Sequence, residues 1–274
     1  MNALDNIPLA LIFFAGIVSQ IVFIELGYRM ATVRAGKPNK SQMAQVRAIM
    51  GASLGLLAFM LAFSFNTAQK HFEERTASYM MEVSAIDSAY RGADLILRDE
   101  REAAKKLLAD FAKLRIQTSA SVQHNDMDAA IEMIRESEYI HDQLWALAER
   151  SMEEGGGGGD TSIFAQSVLA MINAHDARLQ NVLFNRVPPI IWITLYGMAL
   201  LSMAIMGYQA GLTGTRSSFA TWTLAITFAF VMALITDLDR PRMTLFKQNQ
   251  QLMLELQNRM TGGHNWDPVV HEGQ

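Results

Sequence analysis

The chain has 274 residues, half of them apolar, a formal charge of −4 and no cysteine. The lack of cysteine excludes disulfide frameworks, thiol nucleophiles, iron–sulfur clusters and cysteine zinc sites. A soluble globular chain is excluded by the clustering of the apolar residues into four blocks, roughly 8–28, 48–65, 189–208 and 219–236, each about the length that a ~30 Å hydrocarbon layer demands of a helix.

The first block follows a start containing Asp5 and no Lys or Arg, and no small-residue cleavage site succeeds it. It therefore reads as a retained spanning helix, not a signal peptide. Near its end Glu25 and Arg29 stand four residues apart, the spacing of a same-face ion pair whose arginine reaches water. Ser19 and Gln20 lie deeper and either hydrogen-bond to a neighbouring helix or face a wet cavity, with the packing role the favoured reading.

The loop that follows carries Arg29, Arg34, Lys37, Lys40 and Arg47 with no acid among them, and the loop between blocks three and four carries Arg216, also unopposed. Unopposed bases favour the cytoplasmic side, which places both termini and the long central segment outside. Lys70, Arg75, Arg178, Arg186, Arg240, Arg242 and Lys247 oppose that orientation. Gly36-Lys37-Pro38 lacks the spacing and hydroxyl of a phosphate cradle and reads as a turn.

In the second block Ala48, Ala52 and Gly55 recur at helical spacing beside the pair Gly51-x-x-x-Gly55, a face that allows close backbone approach. Phe59 and Phe63 follow one turn apart. Two such aromatics either pack against lipid or a neighbouring helix, or form rings about an oligomer axis, where an apolar constriction gates ions by dewetting.

Between 67 and 186 lie 20 acids and 13 bases, a balance of −7, while the rest of the chain carries +3. No basic face for phosphates is evident, which excludes nucleic-acid binding. This insert is helical by its pattern. Ile86, Tyr90, Ala93, Leu97, Ala104, Leu107, Phe111 and Leu114 make a three–four seam of a coiled coil or bundle, interrupted at Glu100. A second helix is expected near Asp126–Glu154, with Met127, Ile131, Ile134, Leu144 and Leu147 on one stripe, before a flexible five-glycine joint at 155–159. A third, capped by Asp160, runs through Phe164, Val168, Met171, His175 and Val182 to Pro188-Pro189. Nothing between Phe65 and Met81 breaks a helix, so membrane helices two and three are expected to continue into the insert.

Chemistry-bearing motifs are scarce. The six histidines, at 71, 124, 141, 175, 264 and 271, make no pair with zinc-ligand spacing and read as solvated or core residues. No nucleophile elbow is present, and no acid or base is matched to a nucleophile. Neither catalytic residues, a cofactor nor a metal are expected.

The string from Ala62-Phe63-Ser64-Phe65-Asn66-Thr67 to His71-Phe72-Glu73-Glu74-Arg75 resembles the end of the second membrane helix in bestrophins, and more closely that in their bacterial bestrophin-like relatives. Glu25-Leu26-Gly27-Tyr28-Arg29, the stretch Glu82 to Leu95, Asp237-Leu238-Asp239-Arg240-Pro241-Arg242 and Pro188-Pro189 fit the same family, so the resemblance covers nearly the whole chain. It implies an all-α membrane protein with helices one and two in 1–66, a helical extramembrane domain over 67–187, helices three and four in 188–242 and a tail over 243–274. It also implies a pentameric anion channel in a bacterial inner membrane, with Gly55, Phe59 and Phe63 at successive levels of an apolar neck.

Ser64, Asn66 and Thr67 would form a polar exit, since hydroxyls and amides can replace part of an ion's hydration shell. This sequence departs from the family pattern in three places. Gly55 is smaller than the usual neck residue, Ser64 stands for a common arginine, and an acidic calcium-binding run is represented at most by Asp237 and Asp239. Bestrophins keep termini and insert in the cytoplasm, against the loop charges above. The expected partners are further copies of the chain, membrane lipid and inorganic ions. A second reading stays open, in which the protein conducts nothing and the insert acts as a sensor or scaffold.

Overall fold

In a computed structural model, the described residues are 7–34, 39–124, 126–154, 159–214, 218–240 and 250–262. The turn at Gly36–Pro38, Arg216, most of the glycine joint, and Pro241 with Arg242 lie outside them. The helices are α1 Leu9–Arg34, α2 Lys40–Gly92, α3 Arg98–Gln123, α4 Met127–Glu154, α5 Gly159–Leu183, α6 Pro189–Thr213, α7 Ser218–Asp239 and α8 Gln251–Met260, with a 3₁₀ turn at Ala93–Leu95. The chain divides into two compact units, one of residues 1–73 and 185–246, the other of 74–184 and 247–274.

The first unit contains the apolar blocks. α1, α6, α7 and the apolar part of α2 are each long and apolar enough to cross a membrane, which is what an integral membrane protein requires. Leu11, Phe14, Val18, Val22, Leu26 and Met30 form an exposed stripe on α1. The other side of α1 meets α6 backbone to backbone. A Cβ on Gly27 would overlap the Ala204 carbonyl oxygen, and one on Gly207 would overlap that of Ile24. Only glycine allows this approach. Gly51 and Gly55, the glycines whose spacing suggested close packing, have nothing within 4 Å of an added Cβ. Leu57, Leu61 and Ala68 instead turn the opposite side of α2 into a core with Trp192, Leu195 and Ile235.

Pro189 occupies the first turn of α6, where a missing N–H costs nothing. Gly214, at φ +67°, takes the left-handed position beyond the helix's last turn. Asp239, at the end of α7, accepts the Val187 N–H at 2.8 Å and lies 4.0 Å from His71. This carboxylate therefore holds the entry to α6.

The second unit is a helical bundle around Ile86, Leu108, Phe111, Leu144, Phe164, Val168 and Met171. The seam expected from Ile86 to Leu114 does not run along one helix. α2 ends at Gly92, the 3₁₀ turn follows, and α3 begins at Arg98, so the seam folds back and its halves share a core. The turn sits tight, because a Cβ on Gly92 would come within 2.9 Å of Ser167 Oγ. Helix two continues into the insert as expected, since α2 is unbroken. Helix three does not, because α5 stops at Leu183 and α6 starts at Pro189. Proline biases its preceding residue away from helix, and two prolines in succession separate the elements.

Among the described residues the tail contributes α8. α8 buries Met253, Leu256 and Met260. The Tyr90 hydroxyl donates to the Met260 carbonyl at 3.2 Å, and the Met253 N–H donates to the Tyr79 hydroxyl at 3.2 Å.

Candidate functional site

A helix turns by about 100° per residue, which sorts the expected pore-lining residues by angle. Relative to Gly55, Asn66 lies roughly 20° round, Phe59 roughly 40°, Phe63 roughly 80° and Thr67 roughly 120°. Ser64 falls at about 180°, on the far side. Accessibility follows this order. Gly55 and Asn66 are exposed, as are Phe59 (65%) and Phe63 (51%), whereas Thr67 is half-buried. The Thr67 hydroxyl donates to the Phe63 carbonyl at 3.0 Å, so it is partly consumed within its own helix.

Ser64 is 1% exposed, and its Oγ has no hydrogen-bond partner among the described residues. It shares the inner face of Leu57, Leu61 and Ala68. The structure thus gathers five of the six expected residues on or beside one open face and turns Ser64 away from it. Ala48, Ala52 and Ala62 lie on the same open face, and Gln69, Lys70 and Glu73 make its far end polar. The Gln69 amide donates to Glu73 at 2.9 Å.

A second constellation, which no sequence pattern assembles, lies inside the extramembrane unit. Glu82 of α2 is wholly buried and receives Arg115 Nε of α3 at 2.8 Å and His175 Nδ1 of α5 at 3.0 Å, both on Oε1. Arg178 Nη1 donates to its other oxygen. Arg178 also donates through Nη2 to Ser119 Oγ at 3.2 Å and stacks on the Tyr79 ring at 4.9 Å. His141 of α4, His175 and Phe111 pack ring against ring, with centroids 4.9 to 5.6 Å apart.

Burial alone would raise the Glu82 carboxyl. Arg178 and Arg115, with the His175 hydrogen bond, outweigh it and hold the group at about 2. Burial, helped by the neighbouring His175 and Arg115, depresses His141 to about 4. Arg115 is also lowered, by burial first and Arg178 second, with Glu82 opposing. Glu82 and His175 stand in the sequence as one member of a motif and one position on an apolar stripe. Their meeting depends on the turn at 92–97 and on α5 packing against α2.

The Bestrophin-like domain profile matches residues 16–241. The sequence matches no curated protein. Among solved structures, a point mutant of a bacterial bestrophin homologue from Klebsiella pneumoniae superposes with a TM-score of 0.59 at 11% identity, covering 93% of this chain and 98% of that one. A second solved structure, described as a membrane protein and also carrying a substitution, superposes at 0.61 with 12% identity, covering 94% and 100%. At such identities the likeness concerns the fold. Four apolar helices in this order, the fold shared with a bacterial bestrophin homologue, and a domain match spanning most of the sequence establish that the chain belongs to the Bestrophin-like family.

Proposed function

We propose that several copies of the chain, five by the family resemblance, assemble with the open face of α2 around a common axis and conduct ions through it. In this reading Gly55, Phe59 and Phe63 form the apolar neck, and Asn66 with Thr67 forms the polar exit. Ser64 is left out because it faces its own protomer's core. The observation that carries the reading is the composition of this face, where two large exposed rings and a bare glycine sit in angular register with an exposed amide.

A surface meeting only lipid has no use for Asn66, Lys70 and Glu73 in line with the aromatics, whereas a wet path has use for both. The −7 balance of the insert repels anions at long range, so the sign of the permeant ion is set by groups near the path. The bacterial inner membrane is the site of action by resemblance.

The non-conducting reading draws its support from the Glu82 cluster, a buried polar assembly in the extramembrane unit of the kind that a signalling domain could use. Two measurements separate the readings. The first is ion flux from liposomes containing the purified protein. The second is the reactivity of single cysteines at Phe59, Phe63 and Ser64 towards a membrane-impermeant thiol reagent. Conduction requires flux, with labelling at 59 and 63 and protection at 64. No flux, together with unreactive 59 and 63, abolishes it.

A further inference from the structure

The buried Glu82 cluster holds two guanidiniums against one carboxylate, and the surplus charge is localised. Arg178 spends one nitrogen on Glu82, another on Ser119 and its face on Tyr79. Among the described residues Arg115 spends only Nε. Its Nη1 is buried without a hydrogen-bond partner among the described residues, and the residue is 3% exposed. His175 contacts the same carboxylate oxygen through Nδ1 and leaves Nε2 buried and unpartnered among the described residues. His141, whose ring is 4.9 Å from that of His175, leaves its own Nε2 in the same condition. Arg115 and His175 both touch Glu82 Oε1, so their free nitrogens lie only a guanidinium's width and a ring's width from a shared atom.

Leaving a guanidinium donor and a positive charge in a dry interior is costly, and arginine cannot shed its proton to escape that cost. Neutralisation has to come from an anion. The surroundings are Phe111, the histidine rings and the bundle core, which suit a small, weakly hydrated ion and not a phosphate with several acceptors.

We propose that the cluster of Glu82, Arg115, His175 and His141 binds one halide-sized monovalent anion against Arg115 Nη1, inside the extramembrane unit and apart from the α2 face. His175 meets the same Glu82 oxygen through Nδ1 at 3.0 Å.

The test is the thermal midpoint of the full chain in detergent, titrated with sodium chloride or bromide against sodium gluconate at equal ionic strength. Wild type is expected to gain roughly 3–6 °C as halide rises well above its dissociation constant. The gain should saturate. Arg115→Gln should show no difference between halide and gluconate. Should that variant not fold, crystals of the unaltered chain in bromide give a second reading, where an anomalous peak beside Arg115 Nη1 sustains the site. Equal midpoints in halide and gluconate for wild type overturn it, as does a water without anomalous signal at that position. Neither readout depends on ion flux, so failure here and failure of conduction are distinguishable.

Discussion

Arg115 reaches Glu82 across 33 positions of sequence to make a 2.8 Å contact in which neither side chain meets solvent. Removing one partner of a buried pair leaves the other charged and dry. We expect Glu82→Gln to cost about 3–5 kcal/mol of stability, seen as a lower midpoint by circular dichroism. An exposed pair such as Arg135–Glu132 should cost under about 1 kcal/mol when broken.

Acid should unfold the bundle in two stages. His141 is depressed to about 4 from an ordinary 6.5, so its contribution is complete above pH 6.5 and is lost as pH falls towards 4, by roughly 3 kcal/mol. Glu82 is lowered to about 2 from 4.5, so its contribution is complete above pH 4.5 and drains away as pH falls towards 2. Denaturation followed from pH 7 to 2 in halide-free buffer should show both slopes, and His141→Gln should flatten the upper one alone.

Among the α2 residues, position around the helix decides the outcome. Phe63→Ala shortens an apolar constriction and should raise flux several-fold by lowering the dewetting barrier. Ser64→Ala removes a buried hydroxyl that has no hydrogen-bond partner among the described residues and should leave flux unchanged while holding or raising the midpoint. Equal effects at 63 and 64 would mean that the open face is not the conducting one.

The glycines divide the same way. Gly27→Ala drives a methyl into the Ala204 carbonyl and should cost about 3 kcal/mol or more. Gly55→Ala meets open space and should add about 1 kcal/mol of helix propensity. In the conducting reading it also narrows the neck and reduces flux. Thermal melts and liposome flux on the two variants check both expectations.

Much of this architecture was legible because hydrocarbon thickness and helical pitch leave few alternatives. The four apolar blocks became α1, α2, α6 and α7, and the Glu25–Arg29 spacing became a 2.9 Å ion pair. Helical phase also separates Ser64 from Phe63, although their adjacency in the linear string conceals it. Two features were out of reach. The seam from Ile86 to Leu114 read as one helical stripe interrupted only at Glu100, because apolar spacing does not reveal a reversal, and only Gly92 and the residues after it mark one. The Glu82 cluster joins residues up to 96 positions apart, and side chains from four helices meet there through packing that no local pattern encodes.

The close approach of Gly27 to the Ala204 backbone, and of Gly207 to that of Ile24, has a mechanical consequence. Side chains that interlock can change rotamer and let two helices slip, but carbonyl groups pressed against bare α-carbons have no such freedom. α1 and α6 must therefore travel as one double beam, and any rearrangement of the membrane-embedded unit has to be absorbed elsewhere.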